Sequence, residues 1–212
     1  MTQSPGVLVA FEGGEGAGKS TQVTALAALL RAAGRDVEIT HEPGATRIGA
    51  AIRELLLDPA SAGLSARAEA MLYAADRAEH VDTTIGPALA RGAVVITDRY
   101  VDSSLAYQGA GRPLDPDQVE ALNEWATGGL RPDLTLLLDV DPAVGLARAG
   151  EPDRLEAEPL AFHQAVRGGF LALAARDPGR YVVIDAGADP ELVQQLVAAA
   201  VESLLAARVG AP

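Results

Sequence analysis

Residues 6–12 read GVLVAFE, a short continuous apolar run, and Gly13-Gly14-Glu15-Gly16-Ala17-Gly18-Lys19-Ser20 follows without a break. An apolar run of that length bounded by glycine predicts a strand buried on both faces, as in parallel sheets. The octet fits G-x-x-x-x-G-K-[ST]. Val23, Leu26, Ala27 and Leu30 then recur at helical spacing from Ser20, and Gly34 stops the pattern. A glycine loop between a strand and a helix turns backbone N–H groups inward and adds the positive end of the helix dipole, which suits phosphate oxygens. Lys19 is the only lysine in a chain whose other basic residues are arginine. A compact ammonium on a flexible stem reaches β- and γ-phosphates where a planar guanidinium fits poorly. Gly13, Gly14, Glu15, Gly16, Ala17, Gly18, Lys19, Ser20 and Thr21 are therefore the expected nucleoside triphosphate site, with the Ser20 hydroxyl offered to Mg²⁺. The loop defines a ligand class and leaves the reaction open.

Further strands are expected at 36–40, 93–97, 134–140 and 181–185. Helices are expected at 47–57, 65–81, 116–126, from Pro142, and at 190–208. Ala66, Met71 and Leu72 are candidate core positions of the helix at 65–81. Asp115 reads as an N-cap with Pro116 at N1. Strands alternating with helices predict an α/β fold, a five-stranded parallel sheet with helices on both faces. The 212 residues fit one domain, 1–212. AGEPDRLEAEP, 149–159, interrupts the alternation and reads as an exposed loop, either a lid or a plain connector.

The formal net charge is −12 and the arginines are scattered, so nucleic acid is not an expected partner. Positive potential at an anion site must come from a few arginines and backbone amides. The chain has no cysteine, which excludes disulfides and thiolate metal sites, and His41, His80 and His163 lack metal-ligand spacing. No signal peptide or membrane span is expected, and the default compartment is the cytoplasm.

Among phosphate-loop proteins, a guanine-reading N-K-x-D motif is impossible with one lysine, and no ABC-type serine-glycine signature occurs. A small-molecule kinase needs a second anion site facing the first. Residues just after strands are placed for that. Asp98-Arg99 follows one strand; Asp98 suits Mg²⁺ and Arg99 a phosphate, or the two form a solvated ion pair. Glu42-Pro43-Gly44 follows another strand, as an anion or ribose site or a turn. Asp139 reads as a Walker-B-like acid or, preferably, as an acid opening the next helix.

These residues resemble the bacterial thymidylate kinases over nearly the whole chain. FEGGEGAGKST, HEPGATRIGAAIRELLL, MLYAADRAEHV, VITDRYVDSSLAYQGAGR and the segment DRLEAE…FHQAVRGGFLALA stand in that family's order. The resemblance implies a nucleoside monophosphate kinase fold and transfer of the ATP γ-phosphoryl to dTMP with Mg²⁺, held by Ser20 and Asp98. It implies that Arg77 reads the thymine edge, Tyr73 stacks on the base, and Arg99 holds the dTMP phosphate with Arg53 nearby. Ser104, Tyr107 and Gln108 would line base and sugar, Glu15 would face the 3′-OH, and residues 186–189 would pass the adenine. It also suggests a homodimer, with the helix at 66–81 as one face. Another nucleotide kinase, or a phosphate-loop switch or assembly ATPase, is the alternative.

Each residue taken alone also has a plain reading: Tyr73 and Tyr107 as core aromatics, Arg77 as a surface partner of Asp76 or Glu69. His41 and Ala45 depart from the family's usual Arg and Gly. Gly16 stands where some members carry arginine. The resemblance then implies a type with its catalytic arginine in the lid, and Arg148 and Arg154 are the candidates, Arg154 first.

Overall fold

The computed structural model describes residues 6–148 and 153–209. Its centre is a five-stranded parallel sheet in the order β2-β3-β1-β4-β5, with β1 at Val7–Glu12, β2 at Val37–His41, β3 at Val94–Asp98, β4 at Leu134–Asp139 and β5 at Tyr181–Asp185. Every residue of β1 is buried, as its unbroken apolar run requires. Alternate side chains feed opposite faces. Val7, Val9 and Phe11 pack with helices α1 (Lys19–Ala32) and α9 (Pro190–Val209), whereas Leu8 and Ala10 pack with Ala88 and Tyr100. On the latter face α8 (Leu160–Arg176) sets Phe162, Val166 and Phe170 against Leu137 and Tyr107.

β1 lies between β3 and β4, so the connections from it and from β3 leave toward opposite sides of the sheet. Ligands of parallel sheets bind in the crevice this opens beyond the strand ends. Three elements wall it: α2 (Arg47–Leu57), α3 (Ala66–His80), and a short helix α5 (Val101–Ser104) continued by a π-helical turn, Leu105–Ala110; a short α4 (Gly86–Ala90) precedes β3. Caps hold the walls: Thr46 accepts from Gly49 N, Ser65 from Ala68 N, and Asp115 from Asp117 N at the start of α6 (Pro116–Thr127).

Two expectations change. Met71 is 60% exposed, Ala66 and Leu72 are only half-buried, and the buried face of α3 is Glu69, Ala70, Ala74, Asp76, Arg77 and His80. A search for apolar periodicity is blind to a buried face made mostly of charged residues. The part of 149–159 that is described is not a free loop either. Leu155 is buried, and the Arg154 backbone N–H donates to Leu57 O at 3.2 Å; residues 149–152 lie outside the described residues.

Candidate active site

The glycine loop takes its shape from three left-handed positions, Gly13 (φ 138°), Gly16 (φ 64°) and Gly18 (φ 83°). Gly16 is fixed by packing as well. A Cβ there would lie 2.0 Å from Gly145 O on α7 (Pro142–Arg148), and a Cβ on Gly145 would lie 2.1 Å from Glu15 O. Loop and helix meet backbone to backbone, which explains why no arginine occupies position 16. Unlike α2, α3 and α6, α1 has neither a side-chain cap nor an acidic residue in its first turn. Its N-terminal N–H groups thus remain directed at the groove beside the loop. Lys19 folds back over the loop, donating from Nζ to Gly13 O (3.1 Å) and Gly14 O (2.9 Å). Burial and the nearby Arg99 guanidinium lower its pKa.

The ends of β1 and β3 bring in the next groups. Ser20 Oγ donates to Asp98 Oδ2 at 3.0 Å. Arg99 has φ 70°, a conformation that costs a non-glycine residue about 1–3 kcal/mol. From there its guanidinium donates to Gly13 O (3.2 Å), Ser103 Oγ (3.2 Å) and Glu15 Oε1 (2.6 Å). The Tyr107 hydroxyl donates to the same Glu15 oxygen at 2.7 Å. Burial alone would raise the Glu15 carboxyl; the Arg99 and Lys19 cations and the Tyr107 bond outweigh it and hold the carboxyl at about 2. Glu12, by contrast, is fully buried, and desolvation with the nearby Asp102 charge raises it to about 7.

Two hollows adjoin this cluster. An open groove of about 630 Å³ runs along Gly16, Ala17, Gly18, Lys19, Ser20 and Thr21, with Asp98 and His41 on its far side. A smaller cavity of about 140 Å³ is lined by Tyr73, Ser103, Ser104, Tyr107 and Gln108, and by Asp153, Leu155 and Glu156. Glu15, Glu42, Arg53 and Arg99 line both. They form a wall of two carboxylates and two guanidiniums between the hollows. Seven of the eight residues expected around the acceptor thus line one cavity.

The eighth, Arg77, stands one layer back. It is fully buried and donates to Glu42 Oε2 (2.8 Å), Ser104 Oγ (3.0 Å), Tyr100 O (2.8 Å) and Asn123 Oδ1. The buried Glu42 carboxylate draws it there; His80 holds the other Glu42 oxygen at 2.9 Å and bridges to Thr40. Arg154 also points away from the glycine loop. Its Nε donates to Leu56 O (2.6 Å) and its Nη2 sits 2.7 Å from Glu69, a buried carboxylate shared with Gln108 and Arg112. Arg148 instead reaches Ala186 O (3.2 Å) and lies 3.5 Å from Gly16 O. Asp141 caps α7 through Ala143 N, so Asp139 is not the helix-opening acid; it takes a two-pronged bond from Arg167 (2.7 and 2.8 Å) beside the loop. Sequence reasoning missed Arg167, Glu12 and Glu156 and set His41 apart from the chemistry; all four stand in the quoted segments, but the groups they face come from elements distant in sequence.

The thymidylate kinase family profile matches residues 11–197. The thymidylate kinase of Solidesulfovibrio magneticus is 51% identical over 209 residues, spanning 94% of this chain and 100% of that one. The thymidylate kinase of Cutibacterium acnes is 51% identical over 200 residues, spanning 94% and 98%. The crystal structure of thymidylate kinase from Ehrlichia chaffeensis superposes with a TM-score of 0.77 at 33% identity, covering 93% of this chain and 99% of that one.

The Gly16–Gly145 contact gives a direct test. Gly145→Ala places a methyl group against Glu15 O and must displace the loop. Its nucleoside triphosphate affinity should fall about tenfold or more, roughly 1.4 kcal/mol, by titration calorimetry. Gly168→Ala on α8, with nothing within 4 Å, is the control and should leave the affinity unchanged. Equal affinities for both variants would contradict the packing account.

Proposed function

The chain belongs to the thymidylate kinase family, and from that membership we propose how its residues convert dTMP to dTDP with ATP as phosphoryl donor. The observation that carries the reading is the single wall, Glu15, Glu42, Arg53 and Arg99, shared by the groove along the glycine loop and the cavity behind Tyr73. ATP phosphates lie along the loop amides and Lys19; dTMP lies in the cavity with its phosphate at Arg99 and Arg53. An oxygen of the dTMP phosphate attacks the γ-phosphorus, the bond to the β–γ bridging oxygen breaks, and ADP leaves. The attacking phosphate is already anionic, so no general base is needed, and catalysis is positioning and charge stabilisation. Glu15, held near pKa 2, is a poor base. Its Oε1 is taken by Arg99 and Tyr107, which directs Oε2 to the sugar 3′-OH. Tyr107 closes the cavity below the sugar and disfavours a 2′-OH. Tyr73 packs on the base, with Ser104 and Gln108 at its edge; Arg77 acts on that edge through Ser104.

Ser20 and Asp98 supply hard oxygen donors 3.0 Å apart in the ATP groove, and no cluster of three His, Cys, Asp or Glu ligands occurs among the described residues. That donor set fits Mg²⁺, which takes one or two protein oxygens and otherwise phosphates and water. When bound, the ion would neutralise charge on the β- and γ-phosphates. No described helix is long and apolar enough to cross a membrane, in keeping with work in the cytoplasm, which cell fractionation would check.

With dTMP, dUMP, dCMP, AMP and thymidine as acceptors in a coupled ADP assay, dTMP should be turned over, dUMP weakly and the others not. AMP phosphorylation at a comparable rate would sink the acceptor assignment. The two lid arginines should separate. Arg148→Ala should lower kcat about a hundredfold or more, as loss of an arginine at the transferring group does. Arg154→Ala should instead raise KM for dTMP about tenfold with kcat within a few-fold, because Arg154 ties residues 153–156 to the cavity wall. The opposite split would make Arg154 the finger. Ile48, Leu55 and Met71 are exposed on the mutually packed α2 and α3, which supports a homodimer through this face. Met71→Glu should then shift the sedimenting species from dimer to monomer; a monomeric wild type at micromolar concentration would exclude the dimer.

A further inference from the structure

Arg99 is the one non-glycine residue with positive φ among the described residues. Such a conformation persists only where its surroundings over-determine it. Here each neighbouring backbone group is gripped. The Arg99 N–H donates to Phe11 O at 2.9 Å, and its carbonyl accepts from Thr97 Oγ1 at 2.8 Å. The next amide, Tyr100 N, donates to Glu12 Oε1 at 2.9 Å; Ser103 N donates to the same oxygen at 3.1 Å, and Ser103 Oγ donates to Glu12 Oε2 at 2.6 Å. Ser103 Oγ in turn accepts from the Arg99 guanidinium at 3.2 Å. Glu12 therefore touches Arg99 from both ends, through the backbone that follows it and through the hydroxyl that holds its tip. Yet Glu12 is fully buried and lines neither the ATP groove nor the acceptor cavity.

We propose that Glu12, assisted by Thr97, is a positioning residue that imposes the left-handed backbone on Arg99 and so sets its guanidinium on the wall between the two hollows. The proposal rests on the reading of Arg99 as the residue that holds the acceptor phosphate. Glu12 is the last residue of β1, and Gly13 after it begins the glycine loop. One strand end thus places both halves of the site, the donor loop covalently and the acceptor arginine through a carboxylate. Either protonation state of Glu12 leaves Oε1 an acceptor for the two amides. The acceptor atom, rather than the charge, does the holding.

The test is steady-state kinetics on the full chain for Glu12→Ala, Glu12→Gln, Thr97→Val and Arg99→Ala, and for the first and third combined with Arg99→Ala, each with its melting temperature. Glu12→Ala should lower kcat about a hundredfold, the scale expected for a reacting group displaced by about 1 Å. Glu12→Gln, which keeps Oε1, should recover kcat to within about tenfold of wild type. Thr97→Val is isosteric and suited to a strand, so it carries the test if Glu12→Ala does not fold; it should lower kcat at least about threefold. In the Arg99→Ala background both substitutions should change kcat less than about twofold, because the group they position is gone. A merely structural role would instead give effects that multiply. Multiplying effects, Glu12→Ala or Thr97→Val at the wild-type rate, or a Gln variant as slow as Ala would each overturn the proposal. Arg99→Ala at the wild-type rate would instead overturn the assignment of Arg99 on which it rests.

Discussion

The ion pair between Arg99 and Glu15, 2.6 Å apart across the ends of β3 and β1, is the contact on which the rest of the site depends. It separates the two hollows and lies on the surface of each. In a chain of net charge −12, anions are not drawn in by the protein's overall field. Positive charge is instead concentrated locally, in Arg53, Arg99, Lys19 and the loop amides that line the hollows. Glu15 moderates that concentration. Without its charge, Arg99 and Lys19 would lose the carboxylate that acts most strongly on both, and Lys19 already has a pKa lowered by burial and by Arg99. One carboxylate therefore allows two cations to stand close together.

Behind the acceptor cavity lies a second polar layer. Glu42 holds Arg77 and His80, and Arg77 extends to Ser104, Asn123 and the Tyr100 carbonyl. Asp76 accepts from Gly44 N at 3.0 Å, and burial and the Glu42 charge raise it to about 6. Buried charge of this kind contributes little net stability, since desolvation offsets the attraction, but removing one partner strands the other. What the layer provides is rigidity. Five elements, β2, α3, α5, α6 and the Glu42-Pro43-Gly44 turn, are tied to one guanidinium and one carboxylate. The cavity wall they form is fixed by directional bonds rather than by apolar packing, which is why α3 buries charged residues and leaves Met71 in solvent.

The legible parts of the chain are those in which neighbours in sequence act together. The glycine loop, the parallel sheet, the cap at Asp115 and the strand-end position of Asp98-Arg99 each follow from spacing over a few residues. The family resemblance adds Tyr73, Ser104, Tyr107 and Gln108, all of which line the cavity. Partnerships across the fold were not legible. Whether Arg77 meets a ligand or Glu42 depends on which carboxylate is buried 35 positions away. Arg154 turns to Glu69 and the end of α2, and Asp139 to Arg167, for the same reason. Arginine is long and takes the nearest buried anion, and sequence spacing says nothing about which one that is.

The contact between Gly16 and Gly145 joins the donor loop to α7. Their backbones are too close for a side chain on either residue, so the loop cannot carry an arginine of its own while α7 lies against it. The same helix ends at Arg148, three residues beyond Gly145 and so nearly above it on the helix. Arg148 therefore leans over the loop, toward Gly16 O and Ala186 O. The packing that denies position 16 an arginine thus brings one in from the neighbouring element. In this chain the two glycines let α7 dock on the loop, and that docking underlies the role proposed for Arg148.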